Sequence, residues 1–274
     1  TKKVLFLEDE DVIIINNNYE IFNLYNNNLV CRKLKELNVN FEYSESNKDF
    51  MLKEIYEQPS VLKNMIKERI IDGNVFFDEL DRDYLKNIRR IVIFACGTSY
   101  YAGLIGKFII EYFSRIPVEV DYASEFRYRD PLVDGSTLAI AISQSGETAD
   151  TIGAVREAKI KGAKVLSICN TFGSSIARES NFVLYTKAGT EIGVASTKTF
   201  ISQLGLIYLF GIYLAQFFKN FSEKDLKEKV EDFKKIPDKI EIILEKENDI
   251  KKISDLYYNK NNILYLGKGI NYPV

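Results

Sequence analysis

Histidine is absent from this 274-residue chain. Its absence removes Ser-His-Asp and Cys-His nucleophilic catalysis, histidine-ligated metals and imidazole acid–base chemistry together. Cysteine is scarce: Cys31, Cys96 and Cys169 lie far apart and no CxxC pair exists. Neither a disulfide framework nor a zinc knuckle is therefore expected, and the thiols fit a reducing cytoplasm. A basic excess is missing too. Lys plus Arg number 37 against 39 Asp plus Glu, for a net charge of −2 and a pI near 5.6. That balance opposes nucleic-acid binding, which needs a basic surplus. No long apolar segment follows the opening TKKVLFLEDED, so no secretory signal is visible. The most apolar stretch, Leu204–Phe218 (LGLIYLFGIYLAQFF), contains Gln216 and falls short of the ~20 residues a membrane span requires. A buried core or interface helix is expected there, with no membrane contact. Gly97, Gly103 and Gly106 are spaced wrongly for GxGxxG, and no GxxxxGK[ST] occurs. NAD and ATP are set aside, and neither a cofactor nor a metal is expected.

What is present is ordinary for a globular protein: 46% hydrophobic and 28% charged residues, which excludes wholesale disorder. At ~150 residues per domain the length allows about two domains. Residues 1–45 read as β-rich, with short apolar runs at Val4–Leu7 and Val12–Ile15. Tyr19–Tyr25 and Leu29–Arg32 flank an Asn26-Asn27-Asn28 turn. This is too little for a sheet with a covered core. Residues 46–77 read as a connector: a helix over Met51–Gln58 that stops at Pro59, then a second helix ending near Gly73. From residue 90 short apolar strands alternate with helices. Strands are expected at Ile91–Ala95, Val118–Tyr122, Leu138–Ile142, Val165–Cys169 and Phe182–Tyr185, and a long apolar helix at Ser196–Phe218. The rhythm predicts an α/β fold, a parallel sheet flanked by helices, preceded by a partial β-rich domain tail. Residues 222–258 read as charged helices. Ile263–Gly267 repeats the strand-into-glycine pattern of Ile93–Gly97, so a further α/β unit is expected to start there.

In a parallel sheet, ligands sit at the carboxyl ends of the strands. Two hydroxyl-rich loops fall at such ends, Gly97-Thr98-Ser99 and Ser143-Gln144-Ser145-Gly146-Glu147-Thr148, and each opens a helix. Free N–H groups, a partial positive charge and added hydroxyls suit a phosphate without Lys or Arg. The plainer account of either loop is helix capping. Two such loops on one sheet shift the balance toward an anion site, although Glu147 and Asp150 would repel a phosphate unless they point away. A third segment, Gly189–Lys198, links the last strand to the long helix. It could be a lid or sugar contact, or only a connector capped by Ser196. Cys96 reads as a strand-end residue, Thr1 as no nucleophile, and Lys198 as a solvated lysine.

These residues are similar to a known family. ACGTSYYAG, EVDYASEFRYRDP, ISQSGETADT, ICNTFGSSIARES and AGTEIGVASTKTF, together with KEIYEQP at Lys53–Pro59, closely resemble the glutamine–fructose-6-phosphate aminotransferases (isomerising), the glucosamine-6-phosphate synthases. The resemblance implies an enzyme in which a glutaminase domain releases ammonia from glutamine. Two sugar-isomerase (SIS) lobes then convert fructose 6-phosphate to glucosamine 6-phosphate. It divides this chain into the last strands of a glutaminase domain (1–45), the connector (46–77), a first SIS lobe (78–221), and a helical linker with the start of a second lobe (222–274). By motif position Ser99, Ser143, Gln144, Ser145 and Thr148 would hold the sugar phosphate, with Gly97, Thr98 and Gly146 as further loop candidates. Val194 and Ser196 would lie against the sugar. The family's glutaminase cysteine, and its isomerase glutamate, histidine and lysine, have no counterpart here, so no catalytic residue is assigned. A homodimer through the SIS region is implied as well. The alternatives are an SIS module that senses a sugar phosphate in a regulator, and another phosphosugar isomerase or deglycase.

Overall fold

The computed structural model describes residues 3–8, 10–16, 18–26, 28–32, 35–36 and 49–274. Two compact units result, Thr1–Glu45 and Ser46–Val274. In the first, strands Asp11–Ile15 and Tyr19–Asn23 pair antiparallel, and a single bridge joins Phe22 to Leu29. The Arg32 guanidinium clamps Asp11 (2.9 and 3.2 Å) and Glu8 (2.8 Å). Ile21 is the one buried apolar side chain among this unit's described residues, which matches the small core its sequence allows. Asn27 of the expected turn and Thr1 lie outside the described residues.

The second unit is built on one parallel sheet of strands β1 (Arg90–Ala95), β2 (Val118–Tyr122), β3 (Thr137–Ser143), β4 (Lys164–Cys169) and β5 (Phe182–Tyr185). Their spatial order is β5-β4-β3-β1-β2, with Ile91 beside both Val118 and Leu138. All five segments were expected, to within a residue at either end. Side chains alternate across the sheet, as a period of two requires. Ile91, Ile93, Ile140 and Leu166 face one apolar layer, and Val92, Phe94, Ala139 and Val165 face the other. The first layer holds helices α1 (Phe50–Arg69), α2 (Gly97–Ser114) and α6 (Lys198–Phe218); the second holds α3 (Ala123–Tyr128), α4 (Ala149–Ile160) and α5 (Ser175–Glu179). Helix α6 is long and apolar enough to cross a membrane, yet its apolar window is 67% buried within the protein. It is a core helix. A Cβ on its Gly205 would stand 2.9 Å from Leu62 of α1, so that glycine sets how closely the two helices approach.

Two expectations fail. The connector is one continuous helix, α1, with Pro59 inside it. An interior proline costs about 3 kcal/mol; here Pro59, Val61, Leu62 and Met65 are buried, and that packing outweighs the lost backbone bond. The expected strand at Ile263–Gly267 does not form. Residues 261–268 have no regular structure, and Ile263 to Leu266 are exposed. An apolar run becomes a strand only when a ladder partner takes its N–H and C=O groups, and none of the described residues pairs with it. Before it lie the charged helices α7 (Glu223–Lys234), α8 (Ile236–Leu244) and α9 (Glu247–Tyr257).

Candidate functional site

The strand order reverses between β1 and β3: the chain leaves β1 to one side for β2, then returns to the other. Such a switch point opens a crevice at the carboxyl ends of the two strands. The loops that follow β1 and β3 are the two hydroxyl-rich loops. They meet in a pocket of about 200 Å³ lined by Thr98, Ser99, Ser143, Gln144, Ser145, Thr148 and Ser196, together with Cys96 and Ile142. Gly97 and Gly146 are not among the lining residues; they hold the turns of these loops at φ +56° and +67°. A Cβ on Gly146 would collide with Ser174. Val194 is not brought to the pocket and is fully exposed.

The loop hydroxyls do not cap their helices. Neither Cys96 at the head of α2 nor Thr148 at the head of α4 makes a side-chain capping bond. The Thr148 hydroxyl instead meets that of Ser143 at 3.3 Å, and the Ser143 oxygen accepts from Gly146 N–H at 3.0 Å. Two helix N-termini of 18 and 12 residues thus reach the pocket without a side-chain cap, each with a partial positive charge. Gln203 of α6, 2% exposed, donates from Nε2 to the Ser99 oxygen at 3.0 Å. Ser99 therefore keeps its own proton to donate. No Lys, Arg, Asp or Glu is among the lining residues. Glu147, which would have repelled an anion, turns away and accepts from Ser175 N–H at 2.7 Å. Asp150 is 4.0 Å from Arg127.

The segment 189–197 forms a strap with no regular structure that runs into Lys198, the first residue of α6, and four polar groups hold it. Asn170 at the end of β4 donates to Gly189 O (2.7 Å) and accepts from Ala188 N–H (2.9 Å). Glu54 of α1, 3% exposed, accepts from the N–H groups of Ile192 (2.5 Å) and Gly193 (3.1 Å). Glu191 accepts from Thr197 N–H (2.9 Å) and Thr199 N–H (3.2 Å), so this carboxylate, rather than Ser196, caps α6. The Ser196 hydroxyl donates to Glu191 at 3.1 Å. Lys198 is buried, contrary to the solvated lysine expected, and its ammonium lies 2.5 Å from Glu57. Glu54, Glu57, Glu191 and Gln203 were not singled out in the sequence. The available signal was an acid pair one helical turn apart in KEIYEQP and a lone Gln on an apolar helix. Cys169 lies under the 143–148 loop, where burial pushes its thiol up to about 11. It is no nucleophile at neutral pH.

Comparison with known proteins adds to this geometry. Residues 84–213 match the SIS domain family. The chain is 43% identical over 280 residues to the glutamine–fructose-6-phosphate aminotransferase (isomerizing) of Caldanaerobacter subterraneus subsp. tengcongensis, covering 100% of this chain and 46% of that protein. It is 44% identical over 282 residues to the protein of the same name from Chlorobaculum tepidum, covering 100% and 45%. The solved C-terminal domain of glucosamine-fructose-6-phosphate aminotransferase from Francisella tularensis superposes with a TM-score of 0.80 at 39% identity, over 85% of this chain and 66% of that one.

Proposed function

From the premise that the chain belongs to the glutamine–fructose-6-phosphate aminotransferase family and spans a little under half the length of those curated relatives, we propose that its pocket binds fructose 6-phosphate. The phosphate sits among Ser99, Ser143, Gln144, Ser145 and Thr148, and Ser196 faces the sugar. The observation that carries this reading is the pair of uncapped helix N-termini meeting across one hydroxyl-lined crevice. Hydroxyl and N–H donors with a favourable dipole satisfy a phosphate without a basic side chain. Val194 contacts the sugar only if the strap moves.

In this reading the chain is the sugar-phosphate-binding part of an enzyme that converts fructose 6-phosphate and glutamine to glucosamine 6-phosphate and glutamate. Residues 1–45 are the end of a glutaminase-type domain, 46–77 the connector, 78–221 the first SIS lobe, and 222–274 a linker into a second. The lobes associate as a homodimer in the cytoplasm, where the free thiols Cys31, Cys96 and Cys169 stay reduced. The pocket lining holds no general acid or base, so by itself it binds and does not turn over. Groups that hold ground and transition states alike do not raise turnover. Calorimetric titration with fructose 6-phosphate and with inorganic phosphate tests the reading. Ser145→Ala with Thr148→Ala should weaken both by at least about tenfold, since a hydrogen bond to a charged group is worth roughly 1.5–3 kcal/mol. Unchanged affinity in a folded double variant refutes it; glucosamine 6-phosphate production by the purified chain alone would overturn only the statement that this part does not turn over.

A further inference from the structure

Resting on that reading, we infer that Glu54 and Glu57 of α1 are positioning residues for the sugar half of the ligand. They hold the strap so that Ser196 stands at the pocket wall. The pocket has two kinds of wall. The 143–148 loop is fixed within itself and by the 170–176 segment beside it: Gly146 N–H to Ser143, Glu147 N–H to Ser145 at 3.2 Å, and Ser175 N–H to Glu147. The strap has no ladder and no helix of its own. Two carboxylates one turn apart on a remote helix take its place, one at Ile192–Gly193 and one at Lys198. Ser196 lies between these two anchors, and it is the strap's contribution to the lining.

The chemistry at Glu54 is specific. A buried carboxylate is tolerated only when donors surround it, and here the donors are two consecutive backbone N–H groups of the strap. Without the carboxylate those N–H groups lose their acceptor, and the strap turns to pair them with water. Glu54→Gln keeps the size of the side chain but replaces one acceptor oxygen by an NH₂ that faces a donor. Ser196 then shifts, while the Ser143–Thr148 loop, whose bonds above go to itself and to the 170–176 segment, keeps its geometry. A misplacement of about 1 Å is enough to lose binding or rate without loss of fold.

The test is the discrimination between two ligands. Fructose 6-phosphate and inorganic phosphate are titrated into wild-type protein and Glu54→Gln, with near-ultraviolet circular dichroism as the check on folding. Glu54→Gln should weaken fructose 6-phosphate about tenfold and leave inorganic phosphate unchanged. Gly193→Ala provides an independent variant if Glu54→Gln fails to fold. Its new Cβ would stand 2.5 Å from Glu54 Oε2 and 3.4 Å from Met51 Cα, which presses the strap outward, and the same split is expected. Wild-type affinity for fructose 6-phosphate in the folded variant overturns the inference, as does an equal loss for both ligands. A wild-type protein that binds phosphate but no more tightly when the sugar is attached overturns it too, and leaves the phosphate site standing. Binding of neither ligand by wild-type protein overturns the pocket reading itself, and this inference with it.

Discussion

The loop at 143–148 and the strap at 189–197 meet in one pocket and are tied across different distances. The loop's inner bonds join residues two to five apart in sequence, and its outer ones reach the adjoining 170–176 segment, 26 to 30 residues on. The strap's bonds to α1 span 138 and 141 residues. A loop tied within itself and to the loop after the neighbouring strand keeps its shape as long as those strands and helices exist. A strap tied to a remote helix keeps its shape only while that helix is docked. The first therefore suits an invariant group such as a phosphate, and the second suits a part of the site that must yield.

The largest effect that would expose this contrast is at the ion pair. Glu57→Ala leaves the Lys198 ammonium, whose side chain is 5% exposed, without its partner. Removing one member of a buried pair costs roughly 3–5 kcal/mol; with Glu57 itself 32% exposed, about 3 kcal/mol is expected in urea unfolding. Glu57→Gln combined with Lys198→Met should recover most of it. A loss below about 1 kcal/mol would show that the strap does not lean on α1. Next is Gly146→Ala, which combines an unfavourable φ of +67° with a collision against Ser174. A cost of about 2–3 kcal/mol is expected, with phosphate affinity lost and the strap untouched. A crystal structure of that variant with a displaced strap would break the comparison.

Smaller still is a pH effect under the local loop. Burial raises the Cys169 thiol from an ordinary 9.0 to about 11. Between those values the unfolded chain releases this proton and the folded chain keeps it, so stability falls as pH rises from about 9. A drop of about 2 kcal/mol by pH 11 is expected. Cys169→Ala should remove that share of the slope; an unchanged slope would mean that the floor of the loop is wet. The smallest effect is a non-effect. In unfolding free energy, Ser145→Ala and Glu54→Gln should add to within about 0.5 kcal/mol, as unconnected sites do. A larger coupling would join the two walls.

The same contrast explains what could be read from the sequence. The five strands, α2, α4 and the hydroxyl loops are local patterns, and they stand where the alternation places them, within a residue or two. The pocket followed because strand order and loop chemistry converge at β1 and β3. The unbroken α1 was not legible, because Pro59 argues locally for a stop and only the burial of Leu62 and Met65 against α6 overrides it. Lys198 was misjudged for the same reason: its partner is 141 residues away. Ile263–Leu266 failed in the opposite direction. Its pattern is that of a strand, but a pattern supplies no ladder.

The docking of α1 on α6 also has a consequence for how the protein is made. At ~5–20 residues per second, a ribosome that has finished Glu57 needs roughly 7–28 s more to reach Lys198, 141 residues on. For that interval the first long helix of the second unit has emerged without the surface it is shaped to meet, its Val61, Leu62 and Met65 side bare. Bare apolar surface on a nascent chain is what holdase chaperones bind, so ribosome-bound chains should recruit them after α1 emerges and release them once α6 has cleared the exit tunnel. Slowing elongation between those two points should lengthen the occupancy and lower the yield of native protein, although no residue has been changed.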